Sequence, residues 1–152
     1  MSARQPEMER SCMPEIDGVV TVVREWVVKA DSDLTAAAAL LRLKDGCPTD
    51  VVCFHAQQGV EKYLKAFLVS ESVDFPKTHD LERLIALLPP RSRPTLSVED
   101  QGKLTEYATA ARYPGWGPIP LSEARRAVAT ARRVRKHIRG LLPRGALRRR
   151  SR

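Results

Sequence analysis

Between Pro48 and Pro76 the chain contains no proline, and its apolar residues return to one helical face: Cys53, Ala56, Val60, Tyr63 with Leu64, and Phe67. Steps of three and four residues stack side chains on one side of an α-helix, so this stretch has a stripe that must be buried. The spacing predicts a helix over residues 50–72. Thr49 or Asp50 can cap it, because their side-chain oxygens can accept free N–H groups of the first turn. A helix this long and this apolar needs other elements to cover it.

The rest of the chain offers helices to do so. Val20, Val23, Val27, Leu34, Ala37 and Leu41 repeat the same spacing, and Gly46 and Pro48 end that first helix near Lys44. A short third helix fits Leu81–Leu88, capped by Thr78 or Asp80 and closed by Pro89 and Pro90. Residues 89–96 read as a Pro-rich linker. Ser97 with Asp100 resembles a capping box and opens a fourth helix, Val98–Ala111. The segment RYPGWGPIPLS, residues 112–122, holds three prolines and two glycines and cannot be helical. The last helix starts near Ser122 and runs to about Leu142, with Ala124, Val128, Ala131, Val134, Ile138 and Leu141 on its apolar side. With every element helical and most links short, the expected fold is all-α, an up-and-down bundle of four to five helices. The expected organisation is a flexible leader over 1–15, one domain over 16–142 and a basic disordered tail over 143–152. Only eight residues are aromatic, so the core must come mostly from Leu, Val and Ala.

Charge is distributed unevenly. The formal net charge is +8, yet residues 122–152 carry 12 Lys or Arg and the single acid Glu123. Residues 1–121 carry 14 bases and 17 acids. Such an asymmetry suits a polyanionic partner: nucleic acid, nucleotide or an acidic protein face. Three cysteines, Cys12, Cys47 and Cys53, give neither a disulfide framework nor zinc-ligand spacing, so no metal site is expected. Free thiols, no secretory signal and no stretch of about 18 apolar residues fit a cytoplasmic protein.

Four stretches stand in a recognisable order: REWVVKADSDLTAAAAL (Arg24–Leu40), CFHAQQGVEKYLKAFL (Cys53–Leu68), KTHDLERL (Lys77–Leu84) and YATAARYP (Tyr107–Pro114). Together they resemble the HEPN family over about Val22–Leu142. The resemblance implies a bundle of four or five helices that commonly forms a homodimer, with a link to nucleotides or RNA and no cofactor. Many such proteins are encoded beside a minimal nucleotidyltransferase, and such pairs can act as toxin–antitoxin systems. Others are metal-independent ribonucleases with an Arg, four to six residues, and then a His near the start of the last helix. Here no His follows Arg112 within six residues. Arg132 and His137 have that spacing but lie well inside the last helix, which makes them weak catalytic candidates.

The residues themselves leave several roles open. Gln58 and Lys62 continue a stripe from His55, which could hold a phosphate or a base edge, or could line a dimer seam. Glu61 and Lys65 have the order of an exposed i,i+4 ion pair. Asp80 suits a helix start, and His79 either packs locally or carries protons or phosphate. Arg112 and Tyr113 could clamp a nucleotide, with a guanidinium fork for phosphate and a ring for stacking, or could simply end the fourth helix. Trp116, in a Gly/Pro-rich loop, is either a core plug or an exposed stacking platform. Arg125, Arg132, Lys136 and Arg139 share one face of the last helix and could track a phosphate backbone. The leading expectation is a nucleotide- or RNA-binding module acting with a separately encoded nucleotidyltransferase. The alternatives are a ribonuclease using Arg132 and His137, and a structural adaptor for an acidic protein.

Overall fold

The computed structural model describes residues 9–148. Among these residues it is entirely helical: α1 (Glu9–Leu41), α2 (Thr49–Ser70), α3 (Leu81–Ala86), α4 (Val98–Ala110), α5 (Leu121–Arg139) and α6 (Arg144–Leu147), with single 3-10 turns at Lys44–Gly46 and Pro90–Ser92. The helix α2 is the centre of the bundle and packs against α1, α3, α4 and α5. Its stripe is buried as the spacing requires, with Cys53, Ala56, Val60, Tyr63 and Leu64 wholly inaccessible. Val23, Val27, Ala30, Leu34 and Ala37 of α1 close over one side, and Ala124, Val128, Ala131, Val134 and Ile138 of α5 close over another. Burial of this apolar surface is the main driving force for assembly.

Helix ends follow local chemistry. Asp80 caps α3, its Oδ1 accepting from the N–H groups of Glu82 at 3.0 Å and Arg83 at 3.4 Å. Ser97 caps α4 by accepting from the Asp100 N–H at 3.0 Å. At the end of α2, Ser72 turns to φ 55° and the Val73 N–H closes back on the Leu68 carbonyl at 2.9 Å, which stops the helix.

Three expectations are corrected here. Neither Thr49 nor Asp50 caps α2; Pro48 stands at that position without a side-chain bond, and the Thr49 hydroxyl donates to the Ile119 carbonyl at 2.7 Å instead. The hydroxyl serves a tertiary contact that no local pattern announces. Helix α1 begins at Glu9, inside the stretch read as a leader, because extending an existing helix adds one bond for each residue ordered. Residues 1–8 of that leader lie outside the described residues. The stretch expected to start a disordered tail instead forms α6, where Ala146 is buried and the Arg24 Nη2 donates to the Gly145 carbonyl at 2.6 Å. A small residue at the right place docks a segment whose charge suggested solvation. Residues 149–152 of the tail lie outside the described residues.

Candidate functional site

The basic face of the chain resolves into a groove between α1 and α5. One section, of about 1090 Å3, is lined by Arg24, Asp31, Thr35, Arg135, Arg139 and Arg148 among others. A second, of about 640 Å3, shares Asp31, Thr35, Arg135 and Arg139 and adds Arg132 and Lys136. Part of the α1 wall is made of small side chains from Ser32, Thr35, Ala36, Ala38 and Ala39. The two helices can stand beside an open trough because the alanine-rich turns of α1 do not fill it.

One carboxylate organises the cations. Asp31 Oδ1 accepts from Arg135 Nε at 2.8 Å and from the Tyr63 hydroxyl, while Oδ2 stands 3.6 Å from Arg139 Nη1. The bond to Asp31 raises the pKa of the Arg135 guanidinium and so secures its charge. Burial first, and then the Asp31 carboxylate, push the Tyr63 phenol up to about 12, so it stays a proton donor to Asp31. Arg125, Arg132 and Lys136 are exposed on the same side of α5 and make no ion pair among the described residues. Their charge is available to a ligand. An arginine fork and a lysine ammonium together suit phosphate oxygens in different orientations.

Arg132 and His137 do not converge. Five residues of α-helix separate their directions by about 140°. Arg132 lines the groove, whereas His137 Nε2 meets the Ser92 carbonyl at 2.8 Å on the side of the Pro-rich turn. That bond fixes the imidazole to the backbone of the linker.

The stripe on α2 becomes a polar seam with paired charges. Asp33 of α1 is nearly buried and receives His55 Nδ1 at 2.8 Å and Lys62 Nζ at 2.5 Å. Glu61 lies 3% exposed and accepts from Lys65 Nζ at 2.7 Å, His79 Nδ1 at 2.9 Å and Gln57 Nε2 at 2.7 Å. Gln58 Nε2 in turn donates to Gln57 Oε1 at 2.7 Å. The expectation of a solvated Glu61–Lys65 pair is therefore corrected: Lys65 is 8% exposed and sits 5.7 Å from the ring centres of both Trp26 and Phe75. Sequence spacing shows that the two residues are neighbours, but not that α1 and the THDL turn cover them. Lys62 and His79 each already face a carboxylate, whereas Arg132 and Lys136 face none among the described residues.

Arg112 and Tyr113 are exposed in the loop before α5, with the Arg112 guanidinium 5.6 Å over the Phe54 ring. Trp116 is 46% exposed, so it plugs no core. A residue in a Gly/Pro-rich loop has no helical register to aim it inward. Asp31, Arg24 and Phe54 escaped notice in the sequence. Asp31 and Asp33 are two of several acids on α1, and only the packing of α2 and α5 gives them opposite partners.

The family comparison agrees with this arrangement of helices. A family model described as the HEPN domain matches residues 23–141. The chain belongs to the HEPN domain family. At the level of that family, this HEPN chain is a nucleotide- or RNA-related module, and HEPN proteins often dimerise. Among solved structures, this HEPN chain is similar to TT1696 from Thermus thermophilus, with 27% identity and a TM-score of 0.65; the match covers 79% of this chain and 98% of that one. No curated protein matches it. Among the described residues of this HEPN domain, no helix is long and apolar enough to cross a membrane.

Proposed function

We propose that this HEPN domain is a binding module for nucleotide or RNA phosphates, seated in the α1–α5 groove, and that the nucleotidyl-transfer chemistry of its system belongs to a separately encoded partner. One observation carries the reading: Arg132 and Lys136 stand unpaired, among the described residues, beside Arg135 and Arg139 on one wall. Cations without protein partners are the ones that neutralise phosphates and release counterions. Arg112 and Arg125 extend the positive surface toward the start of α5. The divergence of Arg132 from His137 supports binding without cleavage, since a general base must lie within hydrogen-bond reach of the 2′-hydroxyl it deprotonates. Homodimerisation and a place in a toxin–antitoxin pair belong to the same proposal and rest on the family.

The test is a titration of labelled RNA over a range of salt concentrations. Arg132→Ala and Lys136→Ala should each weaken binding and lower the salt slope by about one. RNA affinity that is unchanged in both variants would overturn the phosphate reading and favour an adaptor for an acidic protein. Incubation of cellular RNA in EDTA should leave it intact; cleavage abolished by His137→Ala would restore the ribonuclease reading.

A further inference from the structure

The link from α4 to α5 has an unusual build. Between Ala110 and Leu121 it contains Pro114, Pro118 and Pro120, and Gly115 takes φ 102°, a conformation that side-chain-bearing residues rarely adopt. Its far end is tied to α2 by the bond from the Thr49 hydroxyl to the Ile119 carbonyl. The backbone is thus constrained by ring closure, a required turn and a tertiary tether.

This constrained loop presents aromatic rings to solvent. Tyr113 is 62% exposed and Trp116 46%, and neither ring packs on another aromatic among the described residues. The chain has only eight aromatic residues, so two on one exposed loop is a concentration of flat apolar surface where the core cannot use it. The flanking charge is positive. Arg112 precedes the rings and faces no carboxylate among the described residues. Arg125 lies about one turn into α5, and Arg132 and Lys136 continue along the same side over about 16 Å of helix.

We infer that the Tyr113–Trp116 loop is a stacking platform for unpaired bases, so that the ligand of this domain is a single-stranded nucleic acid whose phosphates run along α5. The inference rests on the reading of α5 as the phosphate face. A duplex keeps its base faces stacked inside, whereas a single strand offers them to aromatic side chains without regard to sequence. Tyr and Trp carry polar tips that tolerate solvent when the site is empty. A loop already constrained loses little freedom on binding. The Arg112 guanidinium, 5.6 Å over the Phe54 ring, adds a cation at the start of the loop that can meet a phosphate.

The test uses the full chain with Trp26→Phe, which leaves Trp116 as its single tryptophan. A fluorescent single-stranded RNA of mixed sequence and its duplex are titrated separately, with circular dichroism to check the fold. The single strand should quench Trp116 and bind more tightly than the duplex. In a chain that keeps Trp26, Tyr113→Ala with Trp116→Ala should weaken single-strand binding about tenfold or more and leave duplex binding unchanged. Arg132→Ala with Lys136→Ala should weaken both. If only the α5 variant weakens binding, the phosphate reading stands and the stacking platform is overturned. If the α5 variant has no effect, the phosphate reading falls and the proposed track with it. If the loop variant changes only the sedimentation mass, the rings cover a second copy of the chain, which also overturns the inference.

Discussion

Asp31 on α1 accepts a hydrogen bond from Arg135 on α5 at 2.8 Å, and this contact places a negative charge in the middle of the positive groove. Asp31 is a strut between the two helices, and under the proposed phosphate binding its carboxylate would compete with the ligand for Arg135 and Arg139. Asp31→Asn should raise RNA affinity several-fold in a low-salt titration. Asp31 and Arg135 are both more than a third exposed, and an asparagine oxygen can still accept from the buried Tyr63 hydroxyl, so the cost in stability should stay below about 1 kcal/mol in urea unfolding. A lower affinity would show that Asp31 is needed to position the arginines.

Gly59 sits where α1 and α2 approach most demandingly. A Cβ there would lie 2.7 Å from Leu34 Cδ2 and 2.9 Å from Leu34 Cγ. Elsewhere in a helix, Gly→Ala is favourable by about 1 kcal/mol, but overpacking a core costs about 1–3 kcal/mol. Gly59→Ala should therefore destabilise the fold, by about 1 kcal/mol in chemical denaturation. A stabilised variant would mean that Leu34 moves aside freely.

Acid should weaken the fold through Glu61. Burial opposes its ionisation, but hydrogen bonds from Lys65, His79 and Gln57 outweigh that and hold its carboxyl below the usual range. A carboxylate with a lowered pKa in the folded state contributes stability above its unfolded pKa. That stability is lost as pH falls through the folded value. Unfolding free energy measured from about pH 5 downward should decline, and Glu61→Gln should remove part of the decline. The same substitution leaves Lys65 buried beside a neutral partner, at a cost of about 3 kcal/mol near neutral pH.

Cys53 should be unreactive in the folded protein. It is inaccessible, and burial first, then the charges of Glu123 and Asp50, push its thiol up to about 12. Alkylation near pH 8 followed by peptide mapping should label Cys47, which is only half-buried, well before Cys53. Equal rates for both would indicate that the α2–α4–α5 core opens readily.

The helices were legible because their signals are local. The stripe from Cys53 to Phe67 has one period and needs one buried face, and Asp80 and Ser97 cap the helices they precede. The four sequence stretches resembling the HEPN family predict the match across residues 23–141. The candidate site was legible only in part. Arg132 and Lys136 could be placed on one face of α5 by counting, as could the spread of charge toward the C-terminus. The Glu61–Lys65 pair looked solvated because i,i+4 spacing carries no information on what covers it.

The amino-acid sequence alone determines which faces are apolar, where helices start and stop, and which end of the chain is positive. These depend on residues within a few positions of one another. Only the tertiary structure decides which cations remain free. Lys62 is paired with Asp33 and Arg135 with Asp31, each across two helices, while Arg132 and Lys136 are left to solvent. His137 is likewise taken up by the Ser92 carbonyl, 45 residues away. A charge becomes a binding group only when no neighbour in space neutralises it, and which residues are neighbours in space is settled by the packing of α1, α2 and α5.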